Sequence, residues 1–68
     1  MIEVVVYKEG MPYITEIVCS GSIFIDWRKK TIAWGRNFKF SKINMVRNSN
    51  ILGRIEVFAE ENENEQSV

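Results

Sequence analysis

Across residues 23–34, apolar side chains recur at every second position on either side of the pair Lys29-Lys30: Ile23, Ile25 and Trp27, then Ile32 and Trp34. A period of two belongs to a strand with one buried face, not to a helix. The run 22–40, SIFIDWRKKTIAWGRNFKF, therefore reads as a β-hairpin feeding a third strand, and the rest of the chain must pack around it. With Arg28 facing Thr31, Trp27 facing Ile32, Asp26 facing Ala33 and Ile25 facing Trp34, all five apolar residues share one face. Phe24, Asp26, Arg28, Thr31, Ala33 and Gly35 take the other. Lys-Lys suits a two-residue turn badly, because such turns need positive φ and favour Asn-Gly or Asp-Gly. A four-residue loop over 28–31 is preferred.

Residues 2–8, IEVVVYK, are rich in β-branched side chains and form the expected first strand. Ile2, Val4 and Val6 lie on one face, Glu3, Val5 and Tyr7 on the other. Glu9-Gly10-Met11-Pro12 marks a turn in which Gly10 tolerates positive φ and Pro12 suits the start of a strand. Residues 13–20, YITEIVCS, make the second strand. Glu16 breaks one of its faces, so Tyr13, Thr15, Ile17 and Cys19 are the first choice for the inner set, with the opposite assignment nearly as good. Ser20-Gly21-Ser22 then turns the chain into the hairpin, as in an antiparallel meander.

Beyond the turn at Gly35-Arg36-Asn37, the apolar phase moves from Phe38 and Phe40 to Ile43 and Met45. A bulge or bend near Ser41-Lys42 accounts for that shift, and bends of this kind let a small sheet curl. The rival is a strand ending at Phe40, followed by one or two helical turns capped by Ser41. Arg47-Asn48-Ser49-Asn50 is a loop by composition, with Ile51-Leu52-Gly53 as an apolar plug beneath it. Residues 54–60, RIEVFAE, alternate again and supply the last strand, with Ile55, Val57 and Ala59 inward. Residues 61–68, ENENEQSV, hold a single apolar side chain and are expected to be a disordered acidic tail.

The fold expected is all-β: one domain over 1–60, built as a small, highly curved antiparallel sheet or partly open barrel. It has about five or six short strands and is of the general SH3-like or OB-like kind.

A chain of 68 residues buries a modest core, and net stability of about 3–5 kcal/mol is all such a core usually supplies unless something staples it. One cysteine excludes an internal disulfide, and the absence of histidine removes the commonest metal ligand. Self-association is the staple that remains, so a homo-oligomer is expected. The lone cysteine also points to a reducing compartment. The opening MIEVVVYKEG lacks the form of a secretion signal, and no apolar run approaches the roughly 20 residues of a spanning helix. A cytoplasmic protein without membrane attachment is the expectation.

Several chemistries have no residues to perform them. Without histidine there is no Ser-His or Cys-His nucleophile pair, and neither GxxxxGK[ST] nor GxGxxG occurs. Cys19 reads as a buried small hydrophobe. Glu16 and Asp26 fall on strands that would be neighbours in a meander, but each reads as a solubilising group rather than half of an acid-base pair. The chain is expected to be no enzyme and to need neither cofactor nor metal.

Zero net charge hides a separation: seven bases and no acid over 28–47, then five acids and no base over 56–68. Two surfaces follow. Val5, Tyr7 and Phe58 fall on outward positions of the first and last strands, beside Glu3 and Glu56. They are the expected partner-binding patch, apolar with an acidic rim, of a non-enzymatic protein-interaction or regulatory module that associates with itself. The alternative is a nucleic-acid-binding small barrel. It would use Phe24 as a stacking ring among Arg28, Lys29, Lys30, Arg36, Lys39 and Lys42, both tryptophans being expected in the core. Neutral overall charge favours the first reading.

Overall fold

The computed structural model describes residues 1–46 and 53–60. It contains six strands, β1 (Ile2–Lys8), β2 (Met11–Val18), β3 (Phe24–Asp26), β4 (Thr31–Ala33), β5 (Asn37–Val46) and β6 (Gly53–Ala59), with a 3-10 turn at Ser20–Ser22 between β2 and β3. They form a single sheet in the order β2-β1-β6-β5-β4-β3. The expected loop at 47–50, the plug at 51–52 and the tail at 61–68 lie outside the described residues.

The first and last strands are neighbours, but β1 runs parallel to β6, so the sheet is mixed rather than wholly antiparallel. The expected meander also breaks once. β2 does not pair with β3; the 3-10 turn carries the chain from one edge of the sheet to the other, and the meander runs from β3 to β6. Glu16 and Asp26 consequently sit on opposite edge strands, not on adjacent ones.

The central hairpin pairs Phe24 with Ala33, Ile25 with Ile32 and Asp26 with Thr31. This register lies two residues from the one expected. A shift of two preserves every face, so the alternation of apolar side chains is satisfied equally well by both. Turn chemistry separates them. Backbone N–H groups of Arg28 and Lys29 both donate to Asp26 Oδ1 at 3.0 Å, closing the four-residue loop 27–30 and not 28–31. Lys30 takes φ 59°, a left-handed conformation that costs a non-glycine residue about 1 kcal/mol. Its carbonyl then accepts from the Phe40 N–H at 2.9 Å.

On β5 the apolar phase shift is a bulge: the register with β6 slips between Phe40 and Lys42, and the strand continues to Val46 without a helical turn. On β2 the opposite of the preferred assignment holds. Ile14, Glu16 and Val18 lie across from Val6, Val4 and Ile2 and face the core side, whereas Thr15 and Ile17 face out. A second slip, between Val6 and Tyr7, leaves Tyr13 as the extra residue and directs its ring to Phe38, at 6.4 Å and edge-on. Cys19 follows β2 at the entry to the 3-10 turn and is exposed, not buried.

The core is one cluster on one side of the sheet: Val4, Val6, Ile32, Trp34, Phe40, Ile55 and Val57. In a flat sheet β2 and β4 would lie about 19 Å apart, four strand spacings. Glu16 on β2 nevertheless touches Trp34, the residue after β4, at 2.7 Å. The sheet is therefore strongly curved around this core, with both bulges placed where such bending occurs, yet it is not closed into a barrel. Among the described residues, side chains bridge the seam.

Candidate functional site

The strongest polar constellation spans that seam. Trp34 Nε1 donates to Glu16 Oε1 at 2.7 Å, and Arg36 donates from Nε and Nη2 to Glu16 Oε2 at 3.1 and 2.9 Å. The two bonds from Arg36, followed by that from Trp34, hold the Glu16 carboxyl below its usual range, and Glu16 in turn raises the Arg36 guanidinium. Three of the carboxylate's roughly four acceptor positions go to fixing a ring and a guanidinium. The three bonds tie β2 to the segment that follows β4, so the arrangement is a clasp. Hydropathy placed Glu16 on the outer face, but Ile14 and Val18 flank it two residues away on each side, which is the signature of a shared inward face. A buried indole N–H needs an acceptor.

The outward face of β1 and β6 brings Val5, Tyr7 and Phe58 together. Tyr7 lies opposite Phe58, their rings stacked at 5.0 Å and 13°. Val5 is only 7% exposed, so it supports this face more than it presents itself. The rim is not acidic. Arg54 takes Glu3 at 3.3 Å and Glu56 at 3.4 Å, Glu56 leading as the cause that raises Arg54, and Asn44 donates to Glu56 at 3.3 Å. Lys42, one of the expected phosphate-binding cations, stands over the Phe58 ring at 5.4 Å instead. Ile17, 57% exposed on β2, extends the same face to the sheet edge.

The basic residues are divided. Arg36 is held by Glu16 and Lys42 belongs to the aromatic pair, whereas Arg28, Lys29, Lys30 and Lys39 are exposed and make no ion pair with any described residue. Lys39 shares a row of the sheet with Thr31 and Asp26; Phe24, 68% exposed, heads the adjacent row through Ala33 and Asn37. Trp34 is in the core as expected, but Trp27 is not. It belongs to the turn, rests edge-on against Phe40 at 5.9 Å, and leaves 58% of its surface exposed. The two-residue shift in register removed it from the strand that would have buried it.

Among the described residues no group of three or more His, Cys, Asp or Glu side chains is placed to hold a metal ion, and no helix is long and apolar enough to cross a membrane. No family model matches the chain, and no curated protein or solved structure is similar enough to count as a relative.

Proposed function

We propose that this chain is a non-enzymatic, cytoplasmic protein-interaction module that associates with a second copy of itself through the outward face of β1 and β6. One observation carries the reading: Tyr7 and Phe58, on adjacent central strands, stack on each other on the side of the sheet away from the core. An aromatic pair serves no core there, and aromatic residues are enriched where protein surfaces meet. The charges of this face cancel within it, Arg54 and Lys42 against Glu3 and Glu56, so a second copy meets no net like-charge repulsion. A core of this size also gains from an added apolar contact. The exposed thiol of Cys19 suits a reducing compartment.

Sedimentation velocity of the wild type beside Phe58→Glu tests the reading. The wild type is expected to show a concentration-dependent dimer and the variant a monomer, with an unchanged far-UV circular dichroism spectrum and urea midpoint showing that the fold is kept. A folded Phe58→Glu variant that assembles like the wild type would sink the proposal. Tyr7→Glu provides the same test from the neighbouring strand.

A further inference from the structure

We infer that the turn 27–30, with Phe24 and Lys39 beside it, is a binding site for single-stranded nucleic acid, separate from the β1 and β6 face. Two independent features meet there. Arg28, Lys29, Lys30 and Lys39 are exposed cations without an ion-pair partner among the described residues. The one carboxylate of the turn, Asp26, spends its Oδ1 on the backbone N–H groups of Arg28 and Lys29. Two exposed rings flank the hairpin on its two faces: Trp27, 58% exposed within the turn and leaning on the core residue Phe40, and Phe24, 68% exposed on β3 on the face away from the core.

Each feature alone has an ordinary explanation. Lysines at a sheet edge discourage unwanted strand pairing, and β3 is an edge strand. A single exposed ring is common. The combination has a different logic. A protein gains nothing by leaving most of an indole in water at the tip of a hairpin, whereas an unpaired base offers a flat π-face that the indole can cover. The cations of the turn and Lys39 meet the phosphates that accompany those bases. Duplex DNA hides its π-faces within the stack, so the rings favour a single strand.

The turn is built to keep this geometry. The Asp26 side chain fixes its first half, Lys30 is locked in the left-handed region, and the Lys30 carbonyl is tied to Phe40 N–H, which anchors the tip to a core strand. Trp27 is braced on one edge by Phe40 at 5.9 Å, so its orientation is set before any ligand arrives.

Fluorescence anisotropy of a labelled oligothymidine of about a dozen nucleotides tests the site, with an abasic strand of equal length and a duplex as controls. Four phosphate contacts predict that affinity falls roughly fiftyfold between ~50 and ~200 mM salt. Trp27→Ala, at an exposed position, is expected to weaken binding about tenfold, the loss of one stacked base, while leaving the abasic strand unaffected. Lys29→Glu with Lys30→Glu should abolish binding with the amide spectrum of the sheet unchanged. Three results would overturn the inference: no binding at low salt, equal affinity for the oligothymidine and the abasic strand, or a duplex bound as tightly as the single strand. Equal affinity would mark a bare polyanion site. Because these residues are not on the β1 and β6 face, loss of nucleic-acid binding leaves the self-association result standing, and the converse holds.

Discussion

Trp34 and Glu16 are joined at 2.7 Å although their elements lie far apart in the order of the sheet, and this bond crosses the seam where no strand pairs with strand. Arg36 with Glu16, and Tyr13 with Phe38, also cross the seam. Closure of the core on this side therefore depends on side chains from β2. Trp34→Phe keeps most of the apolar volume but removes the N–H, leaving the Glu16 carboxylate with Arg36 alone. A loss of about 1–3 kcal/mol is expected, from the missing bond and the smaller ring together. Urea unfolding read by far-UV circular dichroism checks it. An unchanged midpoint would show that the seam does not depend on the bond.

The same carboxylate makes stability depend on pH. Arg36 and Trp34 hold the Glu16 carboxyl below its usual range in the folded protein. A group with a depressed folded pKa contributes its stability above its unfolded pKa, about 4.3 for glutamate, and loses it as pH falls through the lower folded value. The urea midpoint should therefore decline below about pH 4.3 more steeply in the wild type than in Glu16→Gln, which has no charge there to lose. Parallel curves for the two proteins would contradict the clasp. Other carboxylates contribute to both curves, so the difference between them is the quantity that reports Glu16.

Strands whose pattern is local were legible in the sequence. β1 has the expected ends, β6 differs by one residue at each, and the phase change from Phe40 to Ile43 gave the bulge at its place in β5. What escaped is nonlocal. The apolar alternation of 23–34 determines which side chains share a face but is indifferent to a shift of two residues, so it could not place Trp27 in the turn. The deciding contact, Asp26 with the N–H groups of Arg28 and Lys29, is a matter of turn chemistry. Glu16 is the harder case. Its inward position makes sense only beside Trp34 and Arg36, whose side chains lie 18 and 20 residues away in the chain.

Lys30 gives a prediction in which stability and binding move in opposite directions. Its φ of 59° is strained for lysine and natural for glycine. Lys30→Gly should raise stability by up to about 1 kcal/mol, offset in part by the greater freedom of glycine in the unfolded chain. The same change deletes one phosphate-binding cation, so oligonucleotide affinity should fall and its salt dependence become shallower by roughly one phosphate contact. Chemical denaturation and anisotropy on one preparation read both. A variant that loses stability and binding together would mean that the turn needs the lysine side chain for its shape.

The acidic end of the chain supplies a further prediction, set by where it leaves the sheet. The Glu60 N–H donates to the Lys39 carbonyl at 2.9 Å, so the residues that follow are attached beside the basic turn. Glu61, Glu63 and Glu65 add three negative charges within five residues of that point. Charges tethered so near oppose a polyanion in proportion to their local concentration, and more strongly when little salt is present to screen them. Replacing all three with glutamine in the 68-residue chain should strengthen oligonucleotide binding several-fold at low salt, with the gain shrinking as salt rises. Trp27→Ala should weaken both proteins by the same factor, because stacking of a base on the indole does not draw on those charges. If the triple variant binds no better than the wild type at low salt, the acidic residues do not compete for the turn, and the charge separation along the chain serves some purpose other than guarding this site.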